Sequence, residues 1–242
     1  MSGTLYMVAT PIGNLEDLTF RALRILKEVD AIACEDTRVT SKLLSHYEIK
    51  KPLVALHEHS SGGSVARIVR DLAAGKSIAY VSDAGTPGVN DPGGKLVAAC
   101  FDAGITIVPL PGASALTAAI SACGFPMDDF VYAGFVPHKK GRVTFFSQVA
   151  SRNEPTVFLE STHRISKTMN ALTVALSPGR LVFVGREMTK IHETLYRGTI
   201  DEVRAGLQAT SLKGEFIIIV GHAPSPSRLV DHSVTRRQGD KA

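Results

Sequence analysis

The sequence predicts an α/β protein of two α/β domains, with a parallel sheet in the first and a mixed sheet in the second. Three observations predict it. Short apolar runs alternate with helical patterns through the first half, which implies parallel strands joined by right-handed crossovers. A composition break at Gly124-Phe125-Pro126-Met127-Asp128-Asp129 interrupts that rhythm. Beyond it, two strands near Thr189 to Gly198 are joined without a helix, which makes the second sheet mixed. The expected organisation is an N-terminal domain over 1–123, a C-terminal domain over 124–223 and a loose polar tail over 224–242, where the chain turns to Pro-Ser-Pro-Ser and then to charges.

The elements follow from periodicity. Leu5 to Ala9 reads as the first strand. Thr19 is a helix N-cap, after which Ala22, Leu23, Leu26 and Val29 share one face. Ala31 to Cys34 and Leu53 to Leu56 are strands, and Val39 to Tyr47 between them is helical. Ser64 is expected to cap the next helix, whose apolar stripe is Val65, Ile68, Val69 and Leu72 and whose stop is Gly75. Strands at Ile78–Val81 and Ile105–Val108 flank a helix at Lys95 to Ala103. In the second half the strand patterns are Phe130–Val136, Thr156–Leu159, Leu181–Val184, Thr194–Arg197 and Phe216–Val220. Helical patterns there cover Val143–Ser151, Ile165–Leu176 and Ile200–Gln208.

With 242 residues and 44% apolar side chains, there is ample material for two cores. Net charge is +4, which permits a polyanionic partner without requiring one. Aromatic residues are 6% and Trp is absent, so no stacking platform for single-stranded nucleic acid stands out. Cys34, Cys100 and Cys123 are odd in number and far apart, which argues against disulfides and structural zinc and for a reducing cytoplasm. The N-terminus has no charged stretch followed by an apolar one, and the apolar runs are strand-sized, so no membrane association is expected.

Two Gly/Pro-rich loops carry the strongest functional signal. Ser82-Asp83-Ala84-Gly85-Thr86-Pro87-Gly88-Val89-Asn90-Asp91-Pro92-Gly93-Gly94 follows one apolar run, and Pro109-Leu110-Pro111-Gly112-Ala113-Ser114-Ala115 follows another. Glycine lets backbone amides approach a ligand and proline fixes the path. Open α/β sheets bind ligands beyond the carboxyl ends of their strands, so two such loops in succession read as the floor of a small-molecule site rather than as bare turns. Polar clusters sit at other strand ends: Glu35-Asp36-Thr37-Arg38, His57-Glu58-His59, Glu160-Ser161-Thr162-His163-Arg164, Arg186-Glu187-Met188-Thr189-Lys190 and Lys213-Gly214-Glu215. Each alone is as compatible with salt-bridged scaffolding as with chemistry, and their recurrence in both halves favours a cleft between the halves. His57 and His59 alternate on one side, but no third ligand accompanies them and no metal is expected. Dinucleotide, P-loop, zinc-protease and nucleophile-elbow motifs are absent.

Taken in order, Ala9-Thr10-Pro11-Ile12-Gly13-Asn14-Leu15, Glu35-Asp36-Thr37-Arg38, the SDAGTPGVNDPG loop, PLPGASA, ESTHR, REMTK and KGEF closely resemble the bacterial ribosomal RNA small-subunit methyltransferase I family, of the tetrapyrrole methylase superfamily or class III methyltransferases. The resemblance implies S-adenosylmethionine as methyl donor, held in a cleft between two α/β domains. It implies a homodimer, with 16S rRNA as partner, within the 30S subunit. It further implies 2'-O-methylation of the ribose of a decoding-site cytidine, cytidine 1402. By resemblance the cofactor is held by Thr10, Asp83, Ala84, Gly85, Thr86, Val89, Pro111, Gly112, Ser114, Ala115, Leu159 and Glu215. Arg38, Arg164, Lys190, Lys139 and Lys140 are the expected phosphate contacts, where planar Arg forks suit phosphate oxygens. Glu160 is the expected group that activates or orients the ribose hydroxyl, with Asp36 and Glu187 behind it. Family members continue into a short helical C-terminal region where this chain has a polar tail. Two other readings stand beside this one: a tetrapyrrole C-methyltransferase on the same fold, against which EDTR, ESTHR and REMTK argue, and a non-catalytic RNA-binding assembly factor, which would have no use for the two Gly/Pro loops.

Overall fold

The computed structural model describes residues 2–57 and 62–223. The chain divides into two compact units, Met1–Ser114 and Ala115–Ala242. Each is built on a five-stranded sheet. Among the described residues no helix is long and apolar enough to cross a membrane.

The first unit runs β1 (Thr4–Val8), α1 (Phe20–Glu28), β2 (Ala31–Cys34), α2 (Thr37–His46), β3 (Leu53–Ala55), α3 (Gly62–Ala73), β4 (Ile78–Val81), α4 (Gly93–Asp102) and β5 (Thr106–Leu110). The strand order is β3-β2-β4-β1-β5, parallel throughout. The two-residue strand period divides the core between the faces. Val8, Ile32, Cys34, Ala79 and Val81 pack under α1 and α2 against Ala22, Ile25, Leu26 and Leu44. Leu5, Met7, Ala33, Ile78 and Tyr80 pack under α3 and α4 against Ile68, Leu72, Leu96 and Cys100. Thr19 caps α1 as expected, its side chain accepting from the Ala22 amide. Gly75 ends the α3 turn with φ 95°. Ser64 is not the cap: α3 begins at Gly62 and encloses it. The strand expected to end at Val108 continues to Leu110, with Pro109 opposite Met7. Proline is tolerated there because β5 is an edge strand whose outer side has no ladder to complete. Of the expected His pair, His59 lies outside the described residues, as does the expected tail over 224–242.

The second unit runs α5 (Ala115–Cys123), β6 (Val131–Phe135), α6 (Arg142–Ser151), β7 (Thr156–Ser161), α7 (Ile165–Ala175), β8 (Leu181–Arg186), β9 (Thr194–Thr199), α8 (Ile200–Ala209) and β10 (Glu215–Val220). The order is β6-β7-β10-β8-β9; β6 and β7 are parallel and the remaining pairs antiparallel. Phe158, Val182, Val184, Phe216, Ile218 and Val220 point to α6, α7 and α8, where Phe146, Val149, Met169, Leu172, Val203 and Leu207 meet them. Val157, Phe183, Ile217 and Ile219 point the other way, to Ala119 and Cys123 of α5. That packing explains why the division falls before α5, at Ser114/Ala115, and not at the expected 123/124. A buried guanidinium closes the far end. Arg180 donates to the carbonyls of Gly221 (2.9 Å), Ala150 (2.7 Å) and Arg152 (2.8 Å).

Candidate functional site

In the first unit the parallel register aligns Val8 with Leu110, Met7 with Tyr80 and Cys34 with Val81. The residues after β1, β2, β4 and β5 therefore share one sheet edge. This edge holds Thr10, Asp36, the Ser82–Asp91 loop and Pro111–Ser114, as the sequence led one to expect. Specific bonds tie the loops together. Thr10 and Gly85 exchange backbone hydrogen bonds at 3.0 and 2.9 Å, and Thr10 Oγ1 donates to Ser82 O at 3.3 Å. Thr86 Oγ1 donates to Ala113 O at 3.1 Å, joining the two Gly/Pro loops. The Asp36 amide donates to Asp83 Oδ1 at 2.9 Å. Gly112 owes its place to packing: a Cβ there would stand 2.8 Å from Ala9 Cβ.

Asp91 organises the middle of the long loop. Its Oδ2 accepts from the amides of Gly88 (2.7 Å) and Val89 (3.1 Å), its Oδ1 from Gly93 (2.8 Å) and from the Tyr80 hydroxyl (3.2 Å). Burial pushes the Tyr80 phenol far above its usual range, and the Asp91 carboxylate adds to this, so the hydroxyl keeps its proton for that bond. Val89 stays exposed. Asp83, Ala84 and Gly112 are exposed residues, and no hydrogen bond among the described residues takes their amides. They are donors for a ligand's carboxylate, hydroxyl or ring nitrogen. Asp36 caps α2 through the Arg38 amide at 2.8 Å, and the Arg38 guanidinium clasps the same carboxylate at 2.6–3.2 Å. That guanidinium holds the Asp36 carboxyl well below the usual carboxylate range.

In the second unit, β10 runs against β7 and β8, so its start lies beside their ends: Glu215 faces Ser161 and Phe216 faces Arg186. ESTHR, REMTK and KGEF thus meet at one edge. Thr162 Oγ1 and the Gly214 backbone exchange bonds at 2.6 and 2.7 Å. Lys190 Nζ bridges Glu187 Oε1 (2.9 Å) and Glu215 Oε2 (3.1 Å), and Glu187 Oε1 also accepts the Glu215 amide at 2.8 Å. Arg186 donates to Lys213 O (2.6 Å) and His192 O (3.0 Å). Glu187 and Thr189 both hold positive φ, 52° and 65°, an outlier conformation for a β-branched residue in particular. Ala115 and Leu159 pack with Met188 against the α5 core. Lys139 and Lys140 are exposed in the turn before α6.

Two expectations need correction. Glu160 is not on the open edge. Its side chain is 0% exposed, because the strand period puts it on the helix-covered face with Phe158. There Arg164 Nη2 approaches at 2.8 Å, Arg142 Nη1 at 3.6 Å, and Thr168 Oγ1 donates at 2.6 Å. Arg164 is correspondingly spent, on Glu160 and on Val136 O at 2.7 Å. The pair is a scaffold: both Glu160 oxygens are engaged by donors inside the protein, which leaves no open lone pair facing the edge. The residues that sequence reasoning missed are Asp91, Thr168 and the structural use of Arg142. The signal for Asp91 was present in Asn90-Asp91-Pro92-Gly93, an Asp next to a helix-starting proline.

Among the described residues no group of three or more His, Cys, Asp or Glu side chains could hold a metal ion. A cavity of about 830 Å³ lies along α6 and α7, lined by Arg142, Val143, Phe146, Ala171 and Val174. It is floored by apolar helix side chains and shares no residue with the strand-end loops.

Comparison with known proteins agrees with this geometry. The family model described as Tetrapyrrole (Corrin/Porphyrin) Methylases matches residues 4–204. The ribosomal RNA small subunit methyltransferase I of Halalkalibacterium halodurans is 45% identical over 90% of this chain and 75% of its own length. That of Haemophilus influenzae is 45% identical over 93% of this chain and 80% of its own. Among solved structures, a uroporphyrin-III C-methyltransferase from Thermus thermophilus covers 90% of this chain and 94% of its own, with TM-score 0.63 and 22% identity. A cobalt precorrin-4 methyltransferase reaches TM-score 0.67 at 17% identity over the same shares, so these two speak to the fold alone. With its loops pinned at a sheet edge and its motifs in the family's order, the chain belongs to the tetrapyrrole methylase family and, within it, to the ribosomal RNA small subunit methyltransferase I family of methyltransferases.

Proposed function

We propose that this chain methylates the 2'-hydroxyl of a cytidine ribose in 16S rRNA, with S-adenosylmethionine as donor. The observation that carries the reading is the 45% identity to ribosomal RNA small subunit methyltransferase I relatives over nine-tenths of the chain. The geometry supports it through a first-unit edge whose loops are cross-tied and where no hydrogen bond among the described residues takes the amides of Asp83, Ala84 and Gly112. Those groups fit the donor: an edge of backbone N–H groups suits its carboxylate, ribose and adenine, and the chemistry it supplies is an electrophilic methyl on a sulfonium. Asp83, Ala84, Gly112 and Ser114 are the residues that would hold it, with Thr10, Thr86 and Val89 shaping the edge.

The protein's task is alignment. Donor sulfur, methyl and attacking oxygen must lie in line, and such positioning supplies up to about 7–11 kcal/mol in favourable cases. Removal of the hydroxyl proton by a positioned base adds roughly 10²–10⁴-fold. Asp36 is a carboxylate on the loop-bearing edge, next to Asp83. Its depressed pKa makes it an acceptor that orients a hydroxyl, and Arg38 beside it is a phosphate anchor. Glu187 is held by Lys190 and the Glu215 amide, which suits orientation of the second edge.

The test is radiolabelled methyl transfer to free 16S rRNA and to assembled 30S subunits lacking the modification, followed by nucleotide mapping. Label in a single ribose-methylated cytidine is expected, with subunits the better substrate. Label on a base, or transfer only to a tetrapyrrole, would overturn the reading.

A further inference from the structure

We propose that the exposed face of α2 is a track for the phosphates of the RNA substrate, with Arg38, Lys42 and His46 as successive contacts leading away from the donor-binding edge. The proposal rests on the rRNA reading above and adds a surface to it. Residues 37–46 contain no Asp or Glu, and their three basic side chains stand four apart. Arg38, Lys42 and His46 are all exposed, while Thr40 and Leu44 face the core. Residues four apart lie on one helix face, about 6 Å along the axis. That separation is comparable to the distance between neighbouring phosphates of one strand, so one backbone can meet all three.

Helix stability does not account for the stripe. A cation in the first turn opposes the helix dipole, yet Arg38 is there, with no acidic residue in that turn. The capping Asp36 compensates it, with Asp83 adding to the negative field, and Asp36 fixes the direction of a guanidinium whose side chain is 85% exposed. A planar, pre-oriented fork suits phosphate oxygens. Lys42 sits mid-helix, and no ion pair among the described residues engages it. His46 does complement the helix C-terminus; its ring is also fixed edge-on against Tyr47, at 4.8 Å between centroids. Tyr47 in turn donates to the Leu15 carbonyl.

Placement completes the case. The N-terminus of α2 is bolted to the donor-binding loop by the Asp36–Asp83 bond, so a strand lying on Arg38 lies beside that loop. Arg142, Arg164 and Lys190 are drawn into half-buried carboxylate pairs, with Glu160 and with Glu187 and Glu215, whereas the Arg38 side chain stays 85% exposed beside Asp36 and no ion pair among the described residues engages Lys42. Phosphate contacts set register and affinity without reading sequence, so the track should hold any RNA and leave the choice of nucleotide to the shape of the target.

The test uses the full-length protein with Lys42→Ala, Lys42→Glu and His46→Ala, and Arg70→Ala on α3 as a control that removes the same charge from the opposite face of the sheet. Filter binding of 16S rRNA and of an unrelated RNA is measured across salt, and S-adenosylmethionine binding by calorimetry. Lys42→Ala should lower the log–log salt slope by about 0.7 and weaken both RNAs several-fold. Lys42→Glu should weaken them further, His46→Ala less, and Arg70→Ala should match the parent, as should donor binding by every variant. If Lys42→Glu binds RNA like the parent, or if Arg70→Ala loses as much, the track does not exist. Methyl transfer by the parent separates the two ideas: a parent that methylates rRNA while Lys42→Glu binds normally refutes the track alone, and a parent that transfers no methyl to rRNA refutes the functional reading beneath it.

Discussion

At Glu160 a two-residue difference in where β7 ends decides between catalysis and architecture. The apolar run suggests a strand stopping at Leu159, which would leave Glu160 on the edge. The strand instead reaches Ser161, and alternation turns Glu160 inward, under Arg142 and Thr168. Glu160→Gln should therefore act on stability. It leaves two half-buried guanidinium groups without their counter-charge, a change that costs about 3 kcal/mol when a buried pair is broken. Thermal unfolding should show this as a lowered Tm, while methyl transfer at low temperature stays within a few-fold of the parent. A turnover loss at unchanged Tm would return Glu160 to the chemistry. Gly112 behaves alike. Because its Cβ would meet Ala9, Gly112→Ala should destabilise the first unit by about 1–3 kcal/mol, measured by denaturant unfolding without any ligand. A variant as stable as the parent would mean that the glycine serves the ligand and not the fold.

At the level of elements, the connection from β8 to β9 is held by Lys190 between Glu187 and Glu215. Burial works against the Glu187 charge, but the Glu215 amide and Lys190 outweigh it and hold its pKa below the ordinary 4.5. Burial likewise opposes the Lys190 charge, and the two carboxylates outweigh it and hold its pKa above 10.5. A depressed carboxylate contributes stability that is present above its unfolded pKa and lost as pH falls through the folded value. A raised ammonium contributes stability that is present below its unfolded pKa and lost as pH climbs through the folded value. The connection should accordingly be most protected between pH 4.5 and 10.5. The protection of its amides against hydrogen exchange, relative to the intrinsic rate at each pH, should fall below that window, and Glu187→Gln should flatten the acid limb. The link between the Gly/Pro loops makes a separate prediction. Thr86→Val deletes one hydrogen bond to Ala113, about 1 kcal/mol in stability, and should weaken S-adenosylmethionine binding several-fold in calorimetry, because the two loops then move independently. Most of these elements were legible: Thr19, Gly75 and the period-two runs mark their own ends. Pro109 misled because proline reads as a loop unless the strand is known to lie at an edge. The allegiance of α5 was illegible because its small residues fit many surfaces and only contact with β10 selects one.

For the molecule as a whole, the gathering of the motifs at two sheet edges was foreseeable in part, since loops gather at strand ends in any parallel sheet and KGEF precedes a strand. The antiparallel placement of β10, which brings KGEF to ESTHR and REMTK, needed the fold. With Arg164 and Lys190 engaged by carboxylates, and Lys42 and His46 joining Arg38, Lys139 and Lys140 as proposed phosphate contacts, the RNA salt slope should be roughly 3, at about 0.7 per contact for single strands. Filter binding from low to moderate salt checks this, and a slope near zero would mean recognition without phosphates. The Arg180 clamp bears on how the protein can be engineered. Its guanidinium leans on the Gly221 carbonyl near the end of β10, so a reporter or affinity handle joined after Ala223 leaves every described acceptor in place. A junction at Val220 removes one and exposes the others to competition from water. A deletion ladder read by protease resistance should thus show a step between those two points, a sharp boundary set by one cation and not by the gradual fraying of a strand.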